Sequence, residues 1–305
     1  MLGFILRRLL ASLFVLFGVS LLAFSMTHLV PGDPVSIMLG ERATAAEVER
    51  LRKELGLDRP IYEQYLAYLT RALQGDLGHS IRSNQPVLAE IASRFGSTMQ
   101  LSLVATLLAV VFGVGMGVIA AVARSPLVES LTMGIALLGL SMPTFWSGLL
   151  LILLFSLELR WLPVVGGGWR GLILPSLTLA LPAAAVLARM TRSSLLEVLS
   201  QDYVRTARAK GLGEQIVVLK HALRNALIPI LTLIGLQFGG LLAGAVIVES
   251  LFARPGVGRL AVGAILARDF PLVQGVVLLA GLVFVLVNLV MDLLYSAVDP
   301  RIQHR

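Results

Sequence analysis

The sequence predicts an all-α integral membrane protein with six transmembrane helices and a helical region outside the membrane after the first. Two observations carry this. Hydrophobic residues make up 57% of the 305 and charged ones 14%, too few to clothe a soluble domain of that size. The mean hydropathy of +0.87 is also concentrated in long apolar runs, several of about 20 residues, enough to cross a bilayer as helix.

The first run follows Arg7 and Arg8 and continues to about Val30. That is too long for a signal-peptide core and no small-residue cleavage site follows, so it reads as an uncleaved span, Leu9 to Val30. The PGDP turn at Pro31 to Pro34 ends it. Residues 31–98 hold nine acidic and eight basic side chains, a near balance expected of an extramembrane region. Amphipathic helices are expected at Ala43 to Leu55, with Thr44 as N-cap, and at Ile61 to Gln74. A turn at GDLGHS (75–80) and a short helix at Val87 to Phe95 follow. The organisation is thus 1–30 first span, 31–98 external region and 99–305 five-span core.

Span two is expected at Met99 to Val122 and span three at Leu131 to Leu157, kinked at Pro143. Span four runs from Leu172 to Met190, interrupted by Pro175 and Pro182, and span five from Leu227 to Val248. A loop from Glu249 to Pro271 leads into span six, Leu272 to Ala297. Glycine pairs four apart, Gly113/Gly117, Gly235/Gly239 and Gly240/Gly244, favour close helix packing, with lining of a pathway as the alternative. Of the polar residues in or near spans, Gln237, Glu249, Asn288 and Asp292 are the candidates for a pathway or gate. Glu249 and Asp292 lie near span ends, where water is expected to reach them.

One polar stretch, Ser193 to Thr232, lies between spans four and five. From Arg189 to Arg224 there are seven basic and three acidic residues, which makes this face cytoplasmic by the positive-inside rule. Six spans then place both termini on the same side. The net charge of +7 is spent on orientation beside apolar runs, not on nucleic acid. At a helical period Leu196, Leu199, Tyr203 and Ala207 share one face, with Glu197, Gln201, Arg205 and Arg208 opposite. Gly211 and Gly213 end this helix after Lys210, and a second polar helix is expected at about Glu214 to Asn225. Two uses of the stretch remain open on these residues: a solvated hairpin, or a short helix pressed against another protein.

No enzyme site emerges. There is no cysteine, the four histidines lack metal-ligand spacing, and no G-x-x-x-x-G-K-[ST] loop is present to cradle phosphates. A secondary carrier would predict mid-membrane charge pairs and repeated halves. The centres of spans two, three and five hold no ionisable residue.

YVRTARAKGL (203–212) followed by HALRNALIP (221–229) resembles the coupling loop of ABC importer permeases of the dipeptide/oligopeptide/nickel branch. The general signature, E-A-A, three residues, then G, is met at Ala207 and Gly211. Arg205 and Thr206 replace its first two residues, a departure similar to that of the peptide branch. PGDP, GDLG (75–78), PGVG (255–258) and the DP at 299–300 extend the resemblance over nearly the whole chain. It implies the type I importer permease fold in the bacterial inner membrane. The implied partners are a second homologous permease, two ABC ATPases that bind ATP and Mg, and an external solute-binding protein. This chain would bind no cofactor itself. The loop at 193–226, with Leu196, Leu199, Tyr203, Arg205, Ala207, Arg208, Lys210 and Gly211, would couple to the ATPases. Pro31 to Thr98 and Phe252 to Pro271 would form part of the platform or gate for the binding protein, or a cap that only shields the pathway. The implied cargo is di- or oligopeptides, with glutathione or nickel chelates as alternatives.

Overall fold

The computed structural model describes residues 2–29, 35, 44–54 and 56–298. The expected PGDP turn, the DP near the end and the helix limits at Ala43 and Leu55 lie outside the described residues. Every regular element among them is helical.

α1 (Leu2–Leu29) carries the first apolar run. α2 (Ala45–Glu54) opens with a reciprocal cap. Thr44 N and Oγ1 donate to Glu47 Oε2 at 2.8 and 2.7 Å, and Glu47 N donates back to Thr44 Oγ1 at 3.4 Å. The backbone and hydroxyl donors of Thr44 hold the Glu47 carboxyl below its ordinary range. α3 (Ile61–Leu73) ends at Gly75, whose φ of +82° lets its N–H and that of Asp76 return to Ala72 O and Arg71 O at 3.0 and 2.9 Å.

α4 (Val87–Val122) is a single helix of 36 residues. The expected short helix and span two are therefore one rod. Gly96 lies between them, and one glycine costs a helix only about 1 kcal/mol, too little to break it without a proline. Span three differs in the other direction. α5 (Pro126–Ser141) and α6 (Thr144–Leu151), which continues as a π-helical turn over Ile152–Glu158, meet at 109°. Pro143 supplies no N–H and holds Met142 extended, at φ −83° and ψ 130°, so the expected kink is a full break.

α7 (Arg170–Leu199) passes through Pro175 and Pro182 without interruption and outlasts the expected end at Met190 by nine residues. With 72% of its apolar window buried, it is well enclosed, and its neighbours hold it helical where proline withdraws bonds. After α8 (Asp202–Ala209), the turn at Glu214–Ile216 runs on through π-helical Val217–Ala222 into α9 (Leu223–Leu251), straight past Pro229. The expected separate helix at 214–225 is the start of α9. α10 (Val257–Leu266) occupies what was expected to be loop, and α11 (Phe270–Val298) is the last apolar helix.

Among the described residues five helices are long and apolar enough to cross a membrane; the bent α5–α6 pair makes the sixth when counted as one span. The residues cluster into two compact units, 1–96 with 255–286, and 97–254 with 287–305. In the first, Val87 and Ile91 of α4 pack with Val257, Leu260, Leu272 and Val276. A buried clasp sits beside them. Asp269, 1% exposed, accepts Ser80 Oγ at 2.5 Å and Ile81 N at 3.1 Å, and caps α11 through Leu272 N at 3.4 Å. Asp269→Ala should cost about 2 kcal/mol or more, since it removes a helix cap and leaves a buried hydroxyl without its acceptor. Asp269→Asn, which keeps one acceptor, should lose less. Thermal unfolding of the purified chain checks this order, and equal midpoints for Ala and wild type would contradict it.

In the second unit α7 is central. Leu101, Ala105 and Ala109 of α4 and Ala245 and Val248 of α9 join its Leu179, Ala183, Ala184 and Leu187 in one core. Gly113 and Gly117 bring α4 onto α7. An added Cβ would stand 2.7 Å from Ala184 O at Gly113, and 2.6 Å from Ala188 O at Gly117.

Candidate functional site

The stretch between α7 and α9 is built as a closed corner. α7 ends at Leu199, Gln201 is extended at φ −77° and ψ 152°, and α8 starts afresh at Asp202. Leu196 and Leu199 therefore belong to α7, and the expected single face of Leu196, Leu199, Tyr203 and Ala207 does not form. The helical period was read through a break that no glycine or proline marks. The buried pair on α8 is Val204 and Ala207, which pack on Val217 and Leu199 of the same chain. Sequence reasoning missed Val204 and Val217. Their signal was local: Val204 and Ala207 are three apart, one helical turn.

Tyr203 turns to the side, where its hydroxyl accepts Asn225 Nδ2 at 2.7 Å. Arg208 forks onto Glu214, Nε to Oε2 at 3.1 Å and Nη2 to Oε1 at 2.7 Å. The guanidinium holds the Glu214 carboxyl below its ordinary range, and the carboxylate raises the arginine. Both groups are solvated, so the pair shapes the corner more than it stabilises it. Arg205 reaches Asp202 at 3.6 Å and is 73% exposed, and Lys210 is exposed. Gly211 sits at φ +79° and an added Cβ would meet nothing within 4 Å. Its constraint within this chain is the left-handed backbone that ends the helix. Leu212, Ile216 and Leu219 stand out from the corner at 38, 48 and 59% exposed.

Of the four pathway candidates, Gln237 and Glu249 lie apart on one helix. Gln237 is half-buried on α9, about half a turn beyond Gly235, which is buried. Glu249 lies twelve residues further along α9, a rise of about 18 Å. Asn288 is half-buried on α11; Asp292 lies on the same helix, its side chain outside the described residues. Glu249 is not at a wet span end. It is fully buried and accepts Thr98 Oγ1 at 2.5 Å. Arg254 N donates to Glu249 O at 2.8 Å, and Arg254 Nη2 donates to Gln100 Oε1 at 3.0 Å. Burial pulls the Arg254 guanidinium down, and the Glu249 carboxylate opposes that.

The first unit holds a cavity of about 560 Å³ that sequence reasoning did not foresee. His28, Glu63, Arg71, Asp76, His79 and Gln274 line it, polar residues drawn from α1, α3, the 75–80 turn and α11.

The geometry is that of a helical membrane protein with a charged, internally braced corner between two long helices. The family described as "Binding-protein-dependent transport system inner membrane component" matches residues 113–304, and its N-terminal counterpart matches residues 1–102. The chain belongs to this family and is an ABC importer permease of the dipeptide/oligopeptide kind. It is not an enzyme; ATP is hydrolysed by separate ATPase subunits. It is a multi-pass inner-membrane protein whose family works with ATPases and a binding protein.

Among individual proteins, it is 50% identical over 306 residues, all of both chains, to the glutathione transport system permease protein GsiC of Escherichia coli O6:H1 (strain CFT073). The protein of that name from Escherichia coli K12 matches at the same 50% over the same length. An inward-facing structure of the MetNI methionine ABC transporter matches with a TM-score of 0.59, covering 68% of this chain and 96% of that one at 18% identity. That likeness shows the shared fold.

Proposed function

We propose that this permease imports glutathione and similar short peptides, delivered by an external binding protein. The carrying observation is the 50% identity over the full length to permeases named for glutathione. The assembly contains this chain, a second homologous permease and two ABC ATPases, with both termini of this chain in the cytoplasm. Regions 31–98 and 252–271 contribute to the face on which the binding protein docks. Proteoliposomes holding the whole importer and its binding protein should take up labelled glutathione in an ATP-dependent way. Uptake of a labelled dipeptide, or of a nickel chelate, with none of glutathione would overturn the substrate.

The 193–226 corner couples ATP hydrolysis to the spans. What supports this reading is its build: α8 is anchored on its own chain through Val204 and Ala207. That leaves Arg205, Lys210, Leu212 and Ile216 turned outward. Charge-assisted bonds and apolar burial are then both available to an ATPase surface. Ala207→Trp should unseat α8 from Val217, and Gly211→Trp should strain the turn at φ +79°. Both variants should insert yet lose uptake by a factor of ten or more, with hydrolysis no longer stimulated by loaded binding protein. Normal stimulated hydrolysis and uptake in both would remove the coupling role.

A further inference from the structure

α3 carries three distinct faces. Successive residues turn by about 100°, so Tyr62, Leu66, Leu69 and Leu73 fall within about 60° of one another. Tyr65 and Tyr68 form a second sector, directed at Phe24 of α1 with ring centroids 5.4 and 5.8 Å away. Glu63, Gln64, Ala67 and Arg71 form the third and line the 560 Å³ cavity. Both charges of the helix are thus on the cavity side. Within this chain most of the first sector is left uncovered: Tyr62 is 62% exposed, Leu66 57% and Leu73 81%, with Leu69 half-buried.

The depth of α3 says what covers it. Gln64 Oε1 lies 3.2 Å from His28 Nε2, at the end of the apolar run of α1. One residue on, the Tyr65 hydroxyl donates to Ser20 Oγ at 2.8 Å, and Ser20 itself donates to Phe17 O at 2.8 Å. The Tyr65 ring also meets Phe17 edge-on at 6.1 Å. Ser20 is eight residues before His28, about 12 Å down the helix, and Phe17 about 16 Å. Ser20 is 4% exposed, in the middle of a run whose Leu13, Phe14, Leu21 and Leu22 are left bare for lipid. A phenol hydroxyl at that depth needs a protein partner, because hydrocarbon offers none, and the Tyr65–Ser20–Phe17 chain supplies it.

We propose that α3 is not an aqueous external helix but lies in the membrane, in the leaflet that holds the C-terminal half of α1. Its Tyr62–Leu66–Leu69–Leu73 face meets lipid acyl chains and continues the lipid-facing surface of α1. The polar sector turns away from lipid toward the cavity, and Tyr65 and Tyr68 hold the helix against Phe24 of α1. The helix is a wedge between bilayer and cavity.

The chain has no cysteine, so single cysteines at Tyr62, Leu66, Leu73 and, as a control on α2, Lys53 can each carry one spin label. The complete importer, its other subunits free of reactive cysteines, is studied in lipid nanodiscs. Molecular oxygen, which partitions into acyl chains, and a water-soluble nickel chelate serve as relaxing agents. Oxygen should dominate at Tyr62, Leu66 and Leu73, and the nickel chelate at Lys53. Dominance of the chelate at Leu66 and Leu73 would put the face in water and overturn the proposal. Low access to both reagents there would overturn it too, showing a protein partner seated on the face.

Discussion

Gly113→Ala and Gly117→Ala are expected to destabilise the chain, while Gly115→Ala on the same helix should leave its stability unchanged or higher. The prediction turns on one carbon atom. At Gly113 the new Cβ would lie 2.7 Å from both Ala184 O and Leu187 Cβ; at Gly117 it would lie 2.5 Å from Thr191 Cβ and 2.6 Å from Ala188 O. Those neighbours include backbone, which cannot swing aside as a long side chain can. α7 would have to move as a body, yet it is held by α4 and α9 in the same core. Overpacking of this kind costs about 1–3 kcal/mol per site. At Gly115 nothing lies within 4 Å, so only the helix preference for alanine acts, worth up to about 1 kcal/mol in the stabilising direction. Thermal unfolding of the three purified variants reads the sign directly. Destabilisation of equal size at all three positions would mean that the glycines serve something other than the α4–α7 contact.

Glu249→Ala should be among the most damaging single changes in the second unit. The carboxylate is fully buried, accepts the Thr98 hydroxyl, and lies close enough to Arg254 to oppose the effect of burial on it. Removing it takes this acceptor from the buried Thr98 hydroxyl and the opposing charge from half-buried Arg254, at a cost of about 1–3 kcal/mol. Glu249→Gln keeps an acceptor for Thr98 but not the charge that faces Arg254. The expected order of unfolding midpoints is wild type, then Gln, then Ala. Uptake by the reconstituted importer should fall in the same order. An alanine variant as stable as the glutamine one would show that Thr98 and Arg254 find other partners at no cost.

The apolar runs were legible because their physics is local: length and composition mark a span. The resemblance at YVRTARAKGL placed the corner as well. What failed were judgements about where helices stop. The short helix expected at 87–95 and span two are one helix, and Pro143, expected to kink span three, breaks it. In α7 and α9 the prolines at 175, 182 and 229 are overridden. α10 was legible and overlooked. Its Val257, Leu260 and Ala264 keep a helical period, but the preceding PGVG drew the reading toward a turn. Glu249 could not be placed from sequence, because its partner Thr98 is 151 residues away. The break at Ser200 and Gln201 was equally hidden, since a period continues on paper whether or not the backbone does.

The unbroken passage of α7 to Leu199, and of the chain from Glu214 into α9, has a mechanical consequence. Two stiff rods leave one small corner and run the depth of the second unit. Compliance is confined to the turn at 200–201, the Lys210–Gly213 turn, and the π-helical stretch 217–222, where the backbone is wound more loosely. A displacement of α8 should therefore be passed along both helices, and the far end of α9 is where Glu249 accepts the Thr98 hydroxyl.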